Sequence, residues 1–524
     1  MSLPPARGFA LASAKLQAGT YTSFVRDNVM ICISIAQESR RFALADMVNA
    51  ARQCDLLEVR LDRFGKAPDV GELLAAKPKP VIVSCRRPRD GGEWPGSEDE
   101  RLAILRQCVV KKADYVEIEH DVADQVRPFP GCKRVVSFTN LDTTPSDLAE
   151  IYGQMQTKQP DVIKLVTRAR SPEEAWPMVQ ILAKPSVPTV AVGLGRPGLM
   201  LAVLGKRMES PWTYAALERG MEAYPEQPTV HDLESVYHYR DIERATRLVG
   251  VTGSTELATA TIAGLNAAFA LLETPVRCLP LEVGDLRLFR KVLDAVKLAC
   301  AVVDEGHREA MRDVALDFDA SAERAGAADL IVPRGGAWRG YFAFAAAAIA
   351  SLETALRERK PAEQPLAGRI AMVVGVNGLA RAVAFRVLKL GGSVIVASRD
   401  KAAAQALAQE LGCRHVQLDA VYTTLHDVLI VCAAEQRHAT LKSRGGEVGL
   451  HAGYLKPSIS VMDLTALPRP SELLRGAEER GCPVVSPRRV LTEHVVRLTK
   501  LITGKDADSE PVSEAIDATL GEDE

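Results

Sequence analysis

The feature that most constrains the fold is the alternation of short apolar runs with helical stretches between residues 30 and 216. Eight of these runs have the length and the content of β-branched residues that are typical of buried strands. They are Met30–Ile35, Leu56–Asp62, Pro80–Arg86, Tyr115–Glu119, Arg134–Phe138, Asp161–Thr167, Pro188–Gly193 and Trp212–Ala216. Helical segments such as Glu100–Cys108 and Ser171–Ala183 lie between them. Eight strand–helix units predict an α/β fold, a (β/α)8 TIM barrel.

The sixth run carries a single lysine, Lys164, among apolar residues. Lysine is rarely buried, and burial lowers the pKa of its amine because desolvation disfavours the charged form. A neutral lysine in a pocket is a nucleophile that forms a Schiff base with a ketone. The alternative interpretation places Lys164 at the mouth of the strand, paired with a surface carboxylate.

Further charged residues stand at the C-terminal ends of the predicted strands, where TIM barrels carry their chemistry. Glu58 and Arg60 are two residues apart, so they share one face of a strand, and Arg86 ends the next strand. A buried carboxylate and a buried guanidinium need each other or a substrate anion. The pair is therefore either a structural ion pair or part of a substrate site.

Composition limits the partners that we expect. The chain has 524 residues, of which 47% are hydrophobic and 25% charged, and its net charge is −2. This balance argues against nucleic acid or an anionic membrane as a partner, and no apolar run has the length of a membrane span. Ten cysteines without a C-x-x-C pair predict reduced thiols in the cytoplasm and no metal site. We expect a flexible tail at residues 1–28 and a frayed acidic tail at residues 506–524.

Three motifs together resemble type I 3-dehydroquinate dehydratase, most closely the form that is fused to shikimate dehydrogenase in plants. They are Leu57–Asp62, Ser84–Glu93 and Val162–Leu165, and the resemblance covers residues 29–235. It implies that Lys164 forms a Schiff base with the ring ketone of 3-dehydroquinate, without a cofactor, and that loss of water gives 3-dehydroshikimate. It further assigns substrate binding to Glu58, Arg60 and Arg86, and closure of the site to Gln227.

The chain departs from this family pattern at three positions. Thr139 stands where the family has the histidine that moves protons. Ala202 replaces an arginine that binds the substrate carboxylate, and Ala223 replaces a serine of the lid; Arg196 and Arg207 are nearby candidates for the missing arginine. General acid–base catalysis contributes about two to four orders of magnitude in rate. We therefore expect Schiff-base formation even where turnover is slow.

The second half resembles shikimate dehydrogenase, after a charged bridge at residues 240–246. Residues 248–355 correspond to a substrate domain, residues 366–490 to a Rossmann-like NADP-binding domain, and residues 491–505 to a C-terminal helix. Thr259 and Thr261 take the places of two serines that bind the shikimate carboxylate in that family. The alternative is that threonine caps the start of a helix there.

A strand, a glycine turn and a helix at Gly368–Ala380 form the dinucleotide signal. Backbone N–H groups at a turn such as Gly375–Gly378 hold a pyrophosphate in dinucleotide-binding proteins, although Asn377 and Ala380 replace glycines of the family. Arg399, rather than an acidic residue, follows the next strand, which favours NADP over NAD. The alternative is a Rossmann layer that no longer binds a cofactor.

The polar groups of the dehydrogenase reaction are replaced in this chain. Arg308 stands for the catalytic lysine, and arginine is not a neutral proton donor or acceptor at useful pH. Four further replacements are Asp329 for asparagine, Phe342 for asparagine, Phe344 for the catalytic aspartate and His494 for glutamine. We predict that the second half keeps the fold and has lost this reaction.

Three functions are compatible with the sequence. The first is a 3-dehydroquinate dehydratase that acts through Lys164, with the second half as a passenger. The second is a non-catalytic binding or regulatory protein built from both folds, and the third is a Schiff-base enzyme for another carbonyl compound. The first and third predict a small-molecule substrate, and all three are compatible with a homo-oligomer.

Overall fold

The computed structural model describes residues 30–65, 69–195, 197–433 and 450–521. The chain divides into two compact units. Of the described residues, one unit comprises those from Met30 to Arg247 together with Leu279–Leu288, and the other comprises Leu248–Cys278 and those from Phe289 to Gly521. The tail predicted at residues 1–28 lies outside the described residues.

The first unit is built on eight parallel strands. They are β1 Met30–Ile35, β2 Leu56–Arg60, β3 Val81–Ser84, β4 Tyr115–Glu119, β5 Lys133–Asn140, β6 Val162–Arg168, β7 Thr189–Leu194 and β8 Trp212–Ala215. The helices between them are α1 Arg40–Ala50, α2 Val70–Ala75, α3 Glu98–Val110, α4 Leu148–Gln156, α5 Pro172–Ala183 and α6 Pro197–Arg207. The strand order β7-β6-β5-β4-β3-β2-β1-β8 brings β8 beside β1, and β7 approaches β8. The predicted TIM barrel is confirmed.

Local sequence explains why the barrel elements form where they do. Every residue of β2, β3 and β8 is buried, as expected for parallel strands that are covered on both faces. Ser97 and Glu100 form a capping box at the start of α3, and Ser171 caps α5, which begins with Pro172. These caps fix the turns from strand to helix, at the end of the barrel where the strands finish.

Beyond the barrel the chain forms a mixed six-stranded sheet. Its strands are β9 Arg247–Thr252, β10 Val276–Leu281, β11 Cys300–Val302, β12 Asp317–Phe318, β13 Leu330–Arg334 and β14 Ala337–Tyr341, in the order β10-β9-β11-β13-β14-β12. The accompanying helices are α7 Glu256–Leu271, α8 Leu286–Val296, α9 Ala320–Ala325 and α10 Phe344–Arg359.

The last sheet is five-stranded and parallel. Its strands are β15 Ile370–Val374, β16 Ser393–Ser398, β17 Arg414–Gln417, β18 Val428–Val431 and β19 Ser460–Asp463, in the order β17-β16-β15-β18-β19. The helices are α11 Gly378–Lys389, α12 Lys401–Leu411, α13 Glu472–Glu479, α14 Pro487–Thr503 and α15 Ser509–Leu520. The strand order reverses direction at β15, as in the doubly wound Rossmann layout. The α/β fold class predicted for the second half is confirmed.

The prediction of a frayed tail at residues 506–524 is wrong. Residues Ser509–Leu520 form α15, whose buried side chains Val512, Ile516 and Leu520 are spaced by four residues. This stripe packs against α7 and α14. Gly264 of α7 leaves room for it, since a Cβ at that position would lie 3.1 Å from Cγ1 of Ile516. The acidic composition of the segment concealed an amphipathic helix.

Two further observations concern the described residues as a whole. None of their helices is both long and apolar enough to cross a membrane. All ten cysteines are free thiols, and nine of the ten are buried.

Candidate active site

Lys164 lies on β6 and is only 2% exposed. Its Nζ is 2.9 Å from Oε2 of Glu117, 3.8 Å from Oε1 of Glu58 and 4.2 Å from the ring centroid of Tyr214. Burial lowers the pKa of Lys164, the positive charge of Arg86 lowers it further, and the two carboxylates oppose this shift. The interpretation that Lys164 pairs with a surface carboxylate is therefore wrong, because both of its carboxylate partners are buried.

Glu58 is the centre of the hydrogen-bond network around this amine. Its Oε1 accepts hydrogen bonds from Ser84 Oγ at 2.7 Å and from Arg86, and its Oε2 accepts one from Ser34 Oγ at 2.8 Å. Burial raises the pKa of Glu58, but the charges of Arg86, Lys164 and Arg60 outweigh burial and hold it well below its ordinary value. Glu58 is therefore an ionised carboxylate that anchors Arg86.

Arg60 binds Asp62 and not Glu58. Its Nε and Nη2 donate to the Asp62 carboxylate at 3.0 and 2.7 Å, and Nη2 also donates to the carbonyl of Gly91 at 3.0 Å. Asp62 follows β2 in a short 3-10 turn at Leu61–Arg63, which turns its side chain back toward the strand end. Glu58 and Arg60 therefore do not pair with each other: Glu58 pairs with Arg86, and Arg60 pairs with Asp62.

Lys164, Glu58, Arg60, Arg86 and Tyr214 line a cavity of about 90 Å³, whereas Glu117 and Asp62 are not among its lining residues. Thr139 contributes to its wall from β5, two residues beyond Ser137, the register partner of Lys164. Ala223 and Gln227 line it as well, and Gln227 Oε1 accepts a hydrogen bond from the Ala223 N–H at 2.7 Å.

Three side chains provide the positive charge of the cavity wall within the described residues. They are Arg60, Arg86 and Lys164. Arg207 and Ala202 are absent from the lining residues of this described wall, and Arg196 lies outside the described residues. Within the described lining, only these three side chains could take the place of the arginine that binds the substrate carboxylate in the family.

Sequence reasoning missed Glu117, although it is the carboxylate nearest to Lys164. The available signal was a pair of acids at alternate positions of the apolar strand β4, Glu117 and Glu119. Glu119 accepts a hydrogen bond from Nη1 of the buried Arg101 at 2.9 Å, whereas Glu117 meets the lysine. Tyr214 was missed as well, and its buried hydroxyl has no hydrogen-bond partner among the described residues.

The glycine turn of the second half lies at one end of the parallel five-stranded sheet. Gly375 adopts a φ of +114° and its N–H donates to the carbonyl of Ala397, next to the end of β16, which Arg399 follows. Asn377 caps α11, since its Oδ1 accepts from the N–H of Ala380 at 2.9 Å. The N–H of Gly378 donates to Oε1 of Glu309 at 3.3 Å.

Thr259 and Thr261 lie within α7 and do not cap it. The capping residue is Thr255, whose side chain accepts from the N–H of Ala258. Thr261 Oγ1 donates to the carbonyl of Leu257 at 2.7 Å, and Thr259 Oγ1 donates to that of Thr255 at 3.4 Å. The capping interpretation of these two threonines is therefore wrong.

A second small cavity, of about 30 Å³, is lined by Thr261, Arg308, Phe344 and His494 among others. The Arg308 guanidinium lies over the ring of Phe344, at 4.6 Å from its centroid. Asp329 is fully buried and accepts hydrogen bonds from the N–H groups of Ala343 at 2.8 Å and Phe344 at 2.6 Å. Its carboxylate therefore holds the start of α10.

A lysine amine buried among carboxylates inside a (β/α)8 barrel is chemically suited to condensation with a carbonyl compound, the reaction of one class of lysine-dependent enzymes. The family model of type I 3-dehydroquinase matches residues 31–244. The 3-dehydroquinate dehydratase of Methanopyrus kandleri is 32% identical over 200 residues, which cover 36% of this chain and 91% of that relative. Through this region the chain belongs to the type I 3-dehydroquinase family.

Two further comparisons extend over both halves. The chloroplastic bifunctional 3-dehydroquinate dehydratase/shikimate dehydrogenase of Arabidopsis thaliana is 26% identical over 518 residues, covering 95% of this chain and 86% of that relative. The predicted resemblance to the fused plant form is confirmed. The solved structure of dehydroquinate dehydratase and shikimate dehydrogenase from S. pombe also matches. The match covers 94% of this chain and 98% of the S. pombe chain, at 16% identity and a TM-score of 0.42.

Proposed function

We propose that this protein dehydrates 3-dehydroquinate to 3-dehydroshikimate through a Schiff base on Lys164. The observation that carries the proposal is the environment of the Lys164 amine. It is only 2% exposed and lies 2.9 Å from Glu117, and burial together with the charge of Arg86 lowers its pKa. A lysine with a lowered pKa supplies the neutral, nucleophilic form of the amine. Membership of the 3-dehydroquinase family supports the same substrate.

The reaction begins when Nζ of Lys164 attacks the ring ketone and the adduct loses water to give a protonated imine. This positive charge acidifies the neighbouring C–H bond, and removal of that proton gives an enamine. The enamine expels the hydroxyl group of the adjacent carbon as a second water, and hydrolysis of the imine consumes one water and returns Lys164. The net change is the loss of one water. Glu58 and Glu117, both buried beside Nζ, stabilise the cationic imine.

Thr139 lies in the cavity at the position where the family has histidine, and a threonine hydroxyl is no base near neutral pH. We assign the proton transfer in this chain to Glu117, the carboxylate closest to Nζ, at 2.9 Å. A positioned carboxylate takes and returns protons in the same way as an imidazole does. The exchange of one carrier for another explains why the chain keeps the lysine while lacking the histidine.

We assign the substrate carboxylate to Arg60. Nε and Nη2 of this guanidinium bind Asp62 and Gly91, whereas Nη1 has no hydrogen-bond partner among the described residues. Arg86 is committed to Glu58 and lies 3.5 Å from Glu117, so we assign it to the orientation of these two carboxylates. Gln227, 5% exposed, closes the cavity from the segment that follows β8.

Borohydride trapping tests this function directly. Incubation with 3-dehydroquinate and sodium borohydride is expected to reduce the imine and leave an adduct on Lys164, which peptide mass spectrometry locates. Lys164→Met is the control, and we expect it to remain unmodified. Absence of an adduct under conditions that trap a related dehydratase would favour the non-catalytic protein, and an adduct with other ketones but not with 3-dehydroquinate would favour a changed substrate.

We infer that the second half does not carry out the dehydrogenase reaction. Arg308 is a permanently charged guanidinium in place of a lysine, and Phe344 is an apolar ring 2% exposed in place of an aspartate. The described lining of the cavity at Arg308 includes an aspartate, Asp304, but no lysine, so it does not reproduce the lysine–aspartate pair of that family. Incubation of the protein with NADPH and 3-dehydroshikimate is expected to leave the absorbance of NADPH at 340 nm unchanged.

The glycine turn does not fit a pyrophosphate as it stands. In the first turn of α11, the N–H of Gly378 is bound to Glu309 and the N–H of Ala380 to Asn377. Close packing accounts for the two glycines, since a Cβ at Gly375 would lie 2.8 Å from Cβ of Ala433 and one at Gly378 would lie 2.3 Å from the carbonyl of Ala325. These contacts favour a Rossmann layer that binds NADP weakly at most.

A further inference from the structure

A cavity of about 320 Å³ lies between helices α9, α10, α11 and α14. It shares no described lining residue with the cavity at Lys164 or with the one at Arg308. Its volume reaches the lower end of the range of small-molecule sites, about 300–1,000 Å³. Nothing in the proposed dehydratase reaction uses this cavity.

One wall of the cavity is apolar and built from small side chains. Phe342, Ala345, Ile349 and Ala382 are each less than 9% exposed and form its deep part. Ala346 and Ala350 continue the wall along α10 with further small side chains. The alanines on this face of α10 leave the cavity open, because larger side chains at these positions would fill it.

The opposite wall is strongly basic. Arg324, Arg386, Lys389 and Arg497 line the cavity, whereas Glu353 is the single acidic residue in its described lining. Arg497 forms an ion pair with Glu493 at 2.7 Å. For the other three cations, no carboxylate lies within ion-pair distance among the described residues. The lining therefore carries an excess of positive charge.

The guanidinium of Arg386 and the Nε atom of Arg497 have no hydrogen-bond partner among the described residues, which is unfavourable for polar groups that are partly removed from water. Arg386 is half-buried and its guanidinium makes no hydrogen bond among the described residues; burial lowers its pKa together with the charges of Arg497 and Arg324, which Asp319 opposes. The Nε atom of Arg497 is buried without an acceptor in the described part of the chain. An anion in the cavity would give the Arg386 guanidinium a partner and would lie beside the partly exposed side chain of Arg497.

Phe385 orients the cations at the rim of the cavity. The guanidinium of Arg324 lies 3.4 Å from the ring centroid, and Nζ of Lys389 lies 5.4 Å from it. Such contacts hold a cation over an aromatic face and restrict its rotamers. The positive groups are thereby positioned before any ligand arrives, which lowers the entropy cost of binding.

We propose that this cavity binds a small organic dianion, a phosphate monoester whose alcohol is apolar or aromatic. The phosphate meets Arg386 and Arg497, which provide charge-assisted hydrogen bonds. The apolar body packs against Phe342, Ala345 and Ile349. Neither a bare anion nor an uncharged apolar molecule uses both walls.

Phenyl phosphate is the probe for this site, with isothermal titration calorimetry on the full chain. We expect saturable binding that weakens as sodium chloride is added, because the contact is between charges. Inorganic phosphate and 2-phenylethanol, which each match one wall, are expected to bind at least tenfold more weakly. Arg386→Gln is expected to weaken the binding of phenyl phosphate by about tenfold or more through loss of a charged hydrogen bond.

Two further variants separate this site from general charge effects. Ala346→Leu fills the apolar side without altering charge and is expected to weaken binding, whereas Arg475→Gln removes an exposed charge on α13, outside the cavity lining, and is expected to leave it unchanged. Equal affinity for phenyl phosphate and inorganic phosphate would overturn the proposal, as would affinity that both Arg386→Gln and Ala346→Leu leave intact. Absence of binding by the unmodified protein would overturn it as well.

Discussion

At the scale of single residues, the candidate site is a buried amine paired with carboxylates, which are themselves fixed by further hydrogen bonds and ion pairs. Lys164 meets Glu117 and Glu58, and Glu58 in turn binds Arg86 and two serine hydroxyls. Breaking a buried pair by removal of one partner costs more than the pair contributes, because the remaining charge stays desolvated. Substitutions here therefore alter both the fold and the chemistry, and informative variants have to preserve shape.

Thr139→His is expected to raise the turnover of 3-dehydroquinate by about one to three orders of magnitude, because it restores an imidazole that transfers protons. The position suits this role, since Thr139 lines the cavity two residues beyond the register partner of Lys164. The measurement is kcat from the appearance of 3-dehydroshikimate. Thr139→Asn, which is polar but cannot transfer protons, is the control, and an equal kcat in both variants would contradict the expectation.

Glu117→Gln is expected to shift the pH dependence of borohydride trapping toward lower pH. Burial and Arg86 lower the pKa of Lys164, whereas Glu117 opposes this shift, so removal of its charge lowers that pKa further. The neutral amine, and with it the rising limb of trapping, then begins at a lower pH. The plateau rate should fall as well if Glu117 carries the proton.

Glu119→Gln is the matched control for that experiment. Glu119 lies on the same strand but binds Arg101, so its loss should leave the pH midpoint of trapping in place. A shift of equal size in both variants would mean that general loss of negative charge, and not the contact with Nζ, sets the pKa.

At the scale of elements, the eight strands of the barrel were predictable because each is a short apolar run between turn signals. Lys164 stood out for the same reason, as a charge within such a run. Glu117 did not, since Tyr115–Glu119 has the alternating acids of an ordinary half-exposed strand. The partner of Arg60 was not predictable either, because it depends on the 3-10 turn that brings Asp62 back to the strand end.

The C-terminal helix α15 was not predicted, because the acidic composition of the segment was given more weight than the spacing of its apolar residues. Val512, Ile516 and Leu520 form a helical stripe, yet the acidic residues around them favoured a solvated tail. Ile516→Ala is expected to lower the free energy of unfolding by about 2–4 kcal/mol, because Ile516 is fully buried. Urea denaturation followed by circular dichroism measures the change, and Glu514→Ala, at an exposed position of the same helix, should have little effect.

The start of α11 offers a test of the nucleotide turn. Glu309→Gln is expected to tighten the binding of NADPH several-fold, because it removes a negative charge from the helix N-terminus where a pyrophosphate would lie. Thermal stability as a function of NADPH concentration reports the affinity. Glu323→Gln, an exposed change on α9, should not alter it, and equal shifts in the two variants would count against competition at Gly378.

At the scale of the whole molecule, the two compact units predict separate unfolding events. Calorimetry is expected to show at least two transitions. Trapping of 3-dehydroquinate on Lys164 with borohydride should raise the midpoint of one transition only, and Ile516→Ala should lower the midpoint of another. If the trapped ligand and the substitution move the same transition, the units unfold as one.

The close approach of α15 to α7 has a consequence for how such chains diversify. A methyl group added to Gly264 would lie 3.1 Å from Cγ1 of Ile516 and 3.3 Å from Cγ1 of Val495, contacts tight enough that a smaller side chain at position 516 would relieve them. Positions 264 and 516 should therefore covary in related sequences, with alanine or serine at one accompanied by valine or alanine at the other. A double substitution of this kind should recover stability that either single substitution loses.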